Sequence, residues 1–532
     1  MGKRILRTLT HYGIWQFALL GFALYFFATP YLAGLLCNLL TFENFKPPKE
    51  IFIYIIYVVI AVVMAIIIFN YLKFAIYRDV THGRNYRNDA IHYRRPWGEM
   101  INYFKNADKY RIDPKTLPVE NWKKADGIIL GHVGERLVKR DSDAKGNLAL
   151  FALPGGGKTT SQMITTGLRF GGSVLAIDIK GDILAVTKKH RNIKVFSPDC
   201  KEGSCSFNPF YGMKDMPVKA RKIALEMIAA ILIPTEKESF FSDGGRDFFT
   251  GISLYMFHED PDVTFPEVVQ AILLGNAFDW VNKIRESDCP EAQEYTNSFY
   301  GTNEKNVAGC YQNLSKKIRP LSNGDLDVLL SGKGDCISPE TLEDGFDVYI
   351  VIDQDKLDIH SGITTIIIQT FMNAFLMRAD LSTGKKIIPI LFLLDEFANL
   401  NFEYKTLISA LSTLRSKKVS IFMAQQSISQ LKQKYGDEGF RSIIDTCGYV
   451  CLMSAQDPEN RRYFQDLIGK RKTLKSSISV NDKISRSSQE DEEYIFDSAD
   501  FNNLGDNVLI YCEGKYIVAE KCNLYNKEAL SL

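Results

Sequence analysis

A glycine-rich stretch between two periodic patterns constrains the fold of this chain most strongly. It reads Ala-Leu-Pro-Gly-Gly-Gly-Lys-Thr-Thr over residues 152–160 and follows a short apolar run, Leu148–Phe151. Residues 159–170, which come next, have the spacing of a helix. The stretch fits the pattern of Ala or Gly, four residues, Gly-Lys and then Ser or Thr, which is typical of phosphate-binding loops between a strand and a helix. The chain therefore must place a buried strand, a tight turn and a helix N-terminus at one point.

The residue types of this loop indicate what it binds. Glycines let the backbone turn tightly and aim N–H groups at phosphate oxygens, and the helix adds the positive end of its dipole. Lys158 can reach the β- and γ-phosphates, and the Thr159 hydroxyl can ligate Mg²⁺. No Asn-Lys-x-Asp string for guanine occurs, so we expect ATP rather than GTP. The expected nucleotide contacts are Ala152, Pro154, Gly155, Gly156, Gly157, Lys158, Thr159 and Thr160.

A second motif lies far downstream and predicts a hydrolytic site. The apolar run at residues 389–394 ends in Asp395 and Glu396, which is the Walker B form. Asp395 would hold Mg²⁺ through water, so Thr159 and Asp395 are the candidate metal residues. Glu396 would orient or deprotonate the attacking water. The distance along the chain from Lys158 is much wider than a compact domain of this kind needs, which favours an insertion between the two motifs.

Three further polar residues have two possible roles each. Gln426 follows the strand pattern of residues 419–424 and would contact the γ-phosphate or the water, or else be a solvated loop amide. Arg415, in the helical pattern of residues 401–417, would reach the phosphate of a neighbouring subunit, or be an ordinary surface arginine. Asp178 ends the strand pattern of residues 173–178, either as a carboxylate at the rim of the sheet, where ligands bind, or as a helix cap.

Two apolar stretches at the N-terminus predict a membrane anchor. Residues 14–40 and 51–69 carry no charge, and each is long enough to cross a hydrocarbon core of about 30 Å as a helix. Lysines and arginines precede the first stretch and follow the second, so both chain ends are expected in the cytoplasm. This predicts a membrane protein with two spans that contact lipid. A cleaved signal peptide and a buried soluble hairpin are the alternatives.

Length and pattern together predict the domain organisation of an α/β protein. A chain of 532 residues has room for two or three domains. Its net charge of +1 argues neither for nor against nucleic acid. Its ten cysteines show no zinc or disulfide spacing. Residues 475–494 are polar and are expected to be a mobile loop. The predicted parts are the anchor at 1–75, a first part of the nucleotide domain at 76–212 with a linker at 76–126, an all-α insertion at 213–335, and a second part of the nucleotide domain at 336–532.

Short blocks beyond the two motifs carry a family resemblance. They are Asp178–Asp182, Phe207–Pro209, Phe241–Asp243, Asp395–Leu400, and Gln426-Ser427 with Gln430-Leu431. With the N-terminal apolar pair, they resemble the type IV secretion coupling proteins, the TraG/TraD-like ATPases of conjugation and effector export. Ala152 departs from the family's usual Gly, and Asp182 from its usual Glu, but neither change removes a charge or a phosphate contact.

The resemblance implies a fold, an activity and partners. The nucleotide domain would be RecA-like and would assemble as a hexamer around a central channel, with the all-α domain facing the cytoplasm to receive substrate. The activity implied is ATP hydrolysis that delivers relaxase-bound single-stranded DNA, effector proteins, or both, to inner-membrane components of a secretion channel. The alternatives are a membrane-anchored DNA translocase of the chromosome-partitioning type, and a nucleotide-gated docking receptor with little motor activity.

Overall fold

The computed structural model describes residues 110–144, 146–200, 202–235, 239–378, 387–480 and 484–522. The predicted spans at 14–40 and 51–69, and most of the predicted linker, lie outside these residues. Within them, one helical stretch, Gln354–Leu376, is long and apolar enough for a span by length and composition, with a mean hydropathy of 1.2. More than half of it is buried inside the protein, where it packs on the sheet and on neighbouring helices.

The secondary structure follows an α/β order that is interrupted by a run of helices. The strands are β1 Ile128–Val133, β2 Arg136–Arg140, β3 Asn147–Phe151, β4 Ser173–Ile179, β5 Ile193–Phe196, β6 Ser206–Phe207, β7 Cys336–Ile337, β8 Asp347–Ile352, β9 Ile390–Leu394, β10 Val419–Gln425, β11 Cys447–Leu452, β12 Lys470–Val480, β13 Ile484–Tyr494, β14 Asn507–Cys512 and β15 Lys515–Glu520. The helices are α1 Ile164–Arg169, α2 Asp182–Thr187, α3 Val218–Leu232, α4 Ser239–Glu259, α5 Phe265–Leu274, α6 Ala277–Arg285, α7 Pro290–Thr296, α8 Glu304–Ile318, α9 Gly324–Leu329, α10 Pro339–Glu343, α11 Leu357–Leu376, α12 Tyr404–Thr413, α13 Ile428–Asp445 and α14 Pro458–Ile468.

One large sheet organises the described residues around the first motif. Its strand order is β2-β1-β15-β14-β11-β3-β10-β9-β4-β8-β5. The strands from β11 to β5 are parallel, and the others form an antiparallel extension at one side. Because β10 lies between β3 and β9, the turns that follow these three strands meet at one edge of the sheet. This order is what brings the two motifs together.

The central strands are apolar on both faces because both faces are covered. All five residues of β3 are buried. Leu148 and Leu150 pack on the α1 side, whereas Phe151 packs on the other side against Phe464 of α14, with ring centroids 5.7 Å apart. Such double burial removes the alternation seen in half-exposed strands and is typical of parallel sheets. The short apolar runs of the sequence therefore become central strands.

The helices α3 to α9 leave and rejoin the sheet between β5 and β8. Both ends of this run are joined by the short parallel pair β6 and β7, in which Ser206 faces Cys336 and Phe207 faces Ile337. The long helix α4 contacts α3, α5, α6, α7 and α8. It lies close to α8 at Gly244, where an added Cβ would be 2.4 Å from Cys310 Sγ. The predicted boundaries of the insertion and of the nucleotide domain stay a prediction.

Three elements differ from the sequence-based expectation. The expected mobile loop at residues 475–494 lies instead in the antiparallel hairpin of β12 and β13, where Arg471 pairs with Glu493. Opposite charges on facing strands stabilise a hairpin. A prediction based on low apolar content does not detect such cross-strand pairs. Strands β1 and β2 were not predicted. The expected helix at residues 401–417 begins only at Tyr404, where the Glu403 side chain caps it by accepting from the Thr406 N–H, and it ends in a 3₁₀ turn, Leu414–Lys417.

A buried ion pair joins β4, β5 and β8 at the amino edge of the sheet. Arg191 binds Asp347 with its Nη2 2.8 Å from Oδ1, and its guanidinium also donates to the carbonyls of Phe170 and Gly172. Asp347 in turn accepts from the Val174 N–H at 2.8 Å. Burial alone would lower the pKa of Arg191, but the Asp347 carboxylate outweighs burial and raises it. The charge is therefore kept and fully paired.

We predict that Asp347→Asn lowers the free energy of unfolding by about 3–5 kcal/mol, because it leaves a buried guanidinium without its carboxylate. Chemical denaturation of the purified full-length protein measures this change. The control is Asp262→Asn, which breaks the exposed Lys214–Asp262 pair and is expected to leave stability unchanged. Equal effects of the two substitutions would contradict this role for Arg191.

Candidate nucleotide site

The glycine loop between β3 and α1 has the backbone geometry of a phosphate cradle. Gly155 and Gly157 lie in the left-handed region with φ of 75° and 87°. A Cβ at Gly156 would lie 2.9 Å from the Leu153 carbonyl oxygen, so the loop is too tight for a side chain there. The Ala152 N–H donates to the Gln425 carbonyl at 3.0 Å, which ties the start of the loop to β10. The loop continues into a π-helical turn, Thr159–Met163, and then into α1.

Four of the predicted catalytic and metal residues meet at this edge of the sheet. Lys158 Nζ lies 2.8 Å from Asp395 Oδ1, and it also pairs with the Glu396 carboxylate. Gln426 Nε2 donates to Glu396 Oε1 at 3.0 Å. Lys158 and Glu396 are 238 residues apart in the chain. Strand β10 places Gln426 between them because it lies between the strands that carry the other two motifs.

The charges of this cluster keep Lys158 protonated. Burial would lower the pKa of Lys158, but the carboxylates of Asp395 and Glu396 outweigh burial and raise it. In this arrangement the two acids supply the negative charge that a phosphate group would supply. Glu396 has a left-handed backbone conformation, with φ of 50°, and its N–H donates to Asp395 Oδ1 at 3.0 Å. Such a conformation is uncommon for a residue with a side chain, and is often found at functional sites.

The residues at this point fit a nucleotide with Mg²⁺. They combine a protonated amine, backbone N–H groups at a helix start, and hard oxygen ligands from Asp395 and Thr159. Thr159 opens the helical turn and is half-buried, as is Thr160, whose hydroxyl donates to the Gly157 carbonyl at 3.3 Å. Mg²⁺ in such sites takes one or two protein ligands and completes its shell with phosphate oxygens and water. No cluster of three metal-ligating side chains occurs in the part of the chain that the structure describes, and such a site needs none.

Asp178 caps a helix, which is the plainer of its two possible roles. Its carboxylate accepts from the Ile183 N–H at 3.1 Å and from the Leu184 N–H at 2.7 Å, at the start of α2. The side chain is fully buried. Burial raises the pKa of Asp178 to about 6, although the two N–H donors oppose this rise. Asp178 thus shapes the rim beside the site.

Arg415 does not join the cluster of its own chain. It lies exposed in the turn Leu414–Lys417, which precedes β10, whereas Gln426 follows that strand. A strand of seven residues is about 23 Å long, at roughly 3.3 Å per residue. Arg415 is therefore at the opposite edge of the sheet from Lys158, and only a role toward a neighbouring subunit stays open as a prediction.

Two residues that the sequence did not single out touch the glycine loop. The Leu153 N–H donates to Ser454 Oγ at 3.4 Å, and Lys521 Nζ donates to the Gly156 carbonyl at 2.9 Å. Ser454 lies just beyond the carboxyl end of β11, and a polar residue after an apolar strand is a signal that the sequence carries. Lys521 follows the antiparallel hairpin of β14 and β15, and no pattern in the sequence connects that hairpin with the loop.

Comparison with solved structures finds the same fold. The chain is similar to the unbound bacterial conjugative coupling protein TrwBdeltaN70, with a TM-score of 0.60 and 16% identity over 77% of this chain and 92% of that one. TrwB in complex with ADP and Mg²⁺ matches with a TM-score of 0.59 and 17% identity, over 78% and 92% of the two chains. These likenesses show a RecA-like P-loop fold.

Sequence comparison assigns the family. A probable conjugal transfer protein TraG of Sinorhizobium fredii is 26% identical over 75% of this chain and 65% of its own length. The coupling protein VirD4 of Bartonella henselae is 24% identical over 61% and 53%, so the chain spans between half and two thirds of these relatives. The family described as type IV secretory system conjugative DNA transfer matches residues 107–495, most of the chain. This chain therefore belongs to the type IV secretory system conjugative DNA transfer family.

Proposed function

We propose that this protein is a membrane-anchored coupling ATPase, which uses ATP hydrolysis to deliver substrate to a type IV secretion channel. The observation that carries this proposal is the cluster in which Lys158, Asp395, Glu396 and Gln426 meet beside the glycine loop. Binding alone needs only the loop and its lysine. The acid pair and the amide next to it are the groups that hydrolysis requires in addition.

ATP with Mg²⁺ is the proposed nucleotide. TrwB has been solved with ADP and Mg²⁺ and with non-hydrolysable ATP and GTP analogues. For this chain we infer ATP from the absence of a guanine-specificity string. The loop N–H groups and Lys158 hold the phosphates, and Thr159 and Asp395 hold the metal, directly or through water.

The ion pairs of the cluster suggest how binding prepares hydrolysis. Phosphate oxygens compete with the two carboxylates for the Lys158 amine. When the phosphate takes the amine, Glu396 loses its cation and is free to orient or deprotonate a water molecule. Gln426 stays within reach of that carboxylate, since both follow neighbouring strands. The site is thus inactive until a phosphate group binds.

The proposed partners follow from the family and from the apolar N-terminal stretches. The protein assembles as a hexamer in the bacterial inner membrane, held by two spans with both termini in the cytoplasm. The all-α insertion receives relaxase-bound single-stranded DNA, effector proteins, or both, and the ring passes them to inner-membrane components of the channel. Basic groups in the ring would grip DNA by its backbone, so binding would weaken with salt and largely ignore sequence.

We predict that Lys158→Ala lowers ATP affinity by about 10- to 100-fold, because it removes a charge-assisted contact to phosphate. Binding of a fluorescent ATP analogue with Mg²⁺ to the full-length protein in mild detergent measures this loss. Lys188→Ala, which removes an exposed lysine at the end of α2, is the matched control and should bind normally. Unchanged affinity for the ATP analogue in a folded Lys158→Ala protein would contradict the assignment of the nucleotide site.

For Glu396→Gln we predict a loss of hydrolysis without a loss of nucleotide affinity. This substitution keeps the shape of the side chain and removes one competitor for the Lys158 amine, so nucleotide affinity should not fall, while kcat falls by about 10²- to 10⁴-fold through loss of the general base. Steady-state phosphate release measures kcat, and transfer of DNA or effectors between cells measures delivery. If Glu396→Gln and Lys158→Ala cells both deliver substrate at the wild-type level, the motor function is wrong.

Arg415 is predicted to act on the site of a neighbouring subunit. Arg415→Ala and Lys158→Ala should each abolish most hydrolysis alone, by about 10³-fold for a finger in trans. A one-to-one mixture should regain part of the activity, since an intact Lys158 site can then receive Arg415 from its neighbour. Phosphate release from mixed oligomers measures this recovery. If the mixed oligomers are no more active than the two variants alone, Arg415 does not act on a neighbouring site and is an ordinary surface residue.

A further inference from the structure

Lys434 of α13 reaches the turn that carries Glu396. Its Nζ donates to the Ala398 carbonyl at 2.9 Å and to the Leu400 carbonyl, and it lies 3.4 Å from Asn401 Oδ1. These groups belong to, or directly follow, the 3₁₀ turn Phe397–Asn399, which comes straight after Glu396. The last carbonyls of such a turn have no partner within it and carry partial negative charge. The ammonium group satisfies them.

Lys434 differs from the other lysine on the same stretch of helix. Among the described residues, no carboxylate lies within ion-pair distance of Lys434, whereas Lys432 pairs with Glu459 and Asp437. Burial lowers the pKa of Lys434 to about 8, with no acid to oppose it. A partly buried ammonium without an acid is costly. Its position is explained by the main-chain carbonyls that it binds, and not by a charge partner.

The helix that carries Lys434 begins at the catalytic cluster. Helix α13 starts directly after Gln426 and Ser427, so Gln426 contacts the Glu396 side chain at one end of a rigid segment, and Lys434 contacts the turn further along it. Two residues beyond Lys434, the helix breaks at Gly436, where φ is 74°. Lys434 in the helix and Gln426 just before its N-terminus therefore make two contacts to the Glu396 region from the same part of the chain.

The far end of the turn is held from the other side. The Asn401 N–H donates to Thr365 Oγ1 at 2.9 Å, and its side-chain amide donates to Ser361 Oγ at 3.3 Å, both on α11. Lys434 thus closes a bridge from α13 across the turn to α11. Glu396 directly precedes this turn and has a left-handed backbone. The direction of its side chain therefore depends on the position of the turn.

We propose that Lys434 is a positioning residue of the ATPase site: by binding the carbonyls of the turn after Glu396, it keeps that carboxylate aligned with Gln426. The inference rests on the proposed ATPase function and adds a residue that neither motif contains. Lys434 acts through the turn and touches neither nucleotide nor metal. Its removal should therefore affect the chemical step and leave binding unaffected.

The first test compares three variants of the full-length protein. Lys434→Met keeps the stem of the side chain and removes the amine, Lys434→Arg keeps a cation with several donors, and Lys432→Met is the matched control on the same helix. For Lys434→Met we expect kcat to fall by about 10-fold or more, since a displacement near 1 Å costs up to about 100-fold, with the Kd for an ATP analogue close to wild type. Lys434→Arg should recover most of kcat, and Lys432→Met should lose none. A wild-type kcat for Lys434→Met, or equal losses in kcat and affinity, would overturn the proposal.

A double-mutant cycle separates positioning from general destabilisation. If Lys434 and Gln426 hold the same carboxylate, then Lys434→Met should cost clearly less kcat in a Gln426→Ala background than in the wild type. A residue that only stabilises the fold would give independent, multiplicative losses. Multiplicative losses would therefore contradict the positioning role.

A third measurement does not depend on hydrolysis. Amide hydrogen exchange over residues 395–401 should become faster in Lys434→Met and stay unchanged in Lys432→Met, because only the first loses the bonds to the turn. If the wild type hydrolyses no nucleotide, the ATPase function fails, and the exchange result still shows whether Lys434 holds the turn. Unchanged exchange in Lys434→Met would overturn its contact with the turn, whether or not the protein is an ATPase.

Discussion

The ion pairs between Lys158 and the two acids depend on the order of the strands, and the proposed chemistry depends on those ion pairs. Lys158 lies on one turn and the two carboxylates on another, and Glu396 is 238 residues away from Lys158 in the chain. These side chains can meet only if the strands before the two turns are parallel and nearly adjacent. Strand β10 lies between β3 and β9, so it sets the distance between the two turns and places Gln426 between them. The Arg191–Asp347 pair at the amino edge joins β4, β5 and β8, on the far side of β9 from the glycine loop. The geometry of the candidate site and the stability of the sheet therefore both depend on the same parallel packing.

The cluster has a built-in competition for one cation. Lys158 has both acids as partners here, and a phosphate must displace at least one of them. An amine paired with carboxylates avoids the larger cost of a buried charge that has no partner. The same pairing keeps the base candidate Glu396 occupied. In the proposed mechanism, nucleotide affinity and activation are linked through one ammonium group, and the Lys434 bridge sets where Glu396 lies once it is released.

Most of the candidate site is predictable from the sequence because its residues lie in short contiguous motifs. Glycine turns need particular residues in order, and an apolar strand that ends in Asp-Glu is a contiguous signal, so Lys158, Asp395 and Glu396 were identified without a structure. Gln426 was predictable because it ends the strand that follows. The polar hairpin of β12 and β13 was not, since its stability comes from pairing across strands, as between Arg471 and Glu493. Composition within one strand carries no trace of that pairing.

The sequence by itself determined the phosphate loop, the acid pair, the apolar N-terminal stretches and the run of helices, because each depends on the order and spacing of neighbouring residues. Only the tertiary structure decided that Asp178 caps a helix and that Arg415 lies at the edge away from its own candidate site. It also decided that Ser454 and Lys521 contact the glycine loop and that Lys434 contacts the turn after Glu396. These roles arise from contacts between segments distant in the chain. Such contacts are set by strand order and by which main-chain carbonyls lack partners, and neither is written in any single stretch of residues.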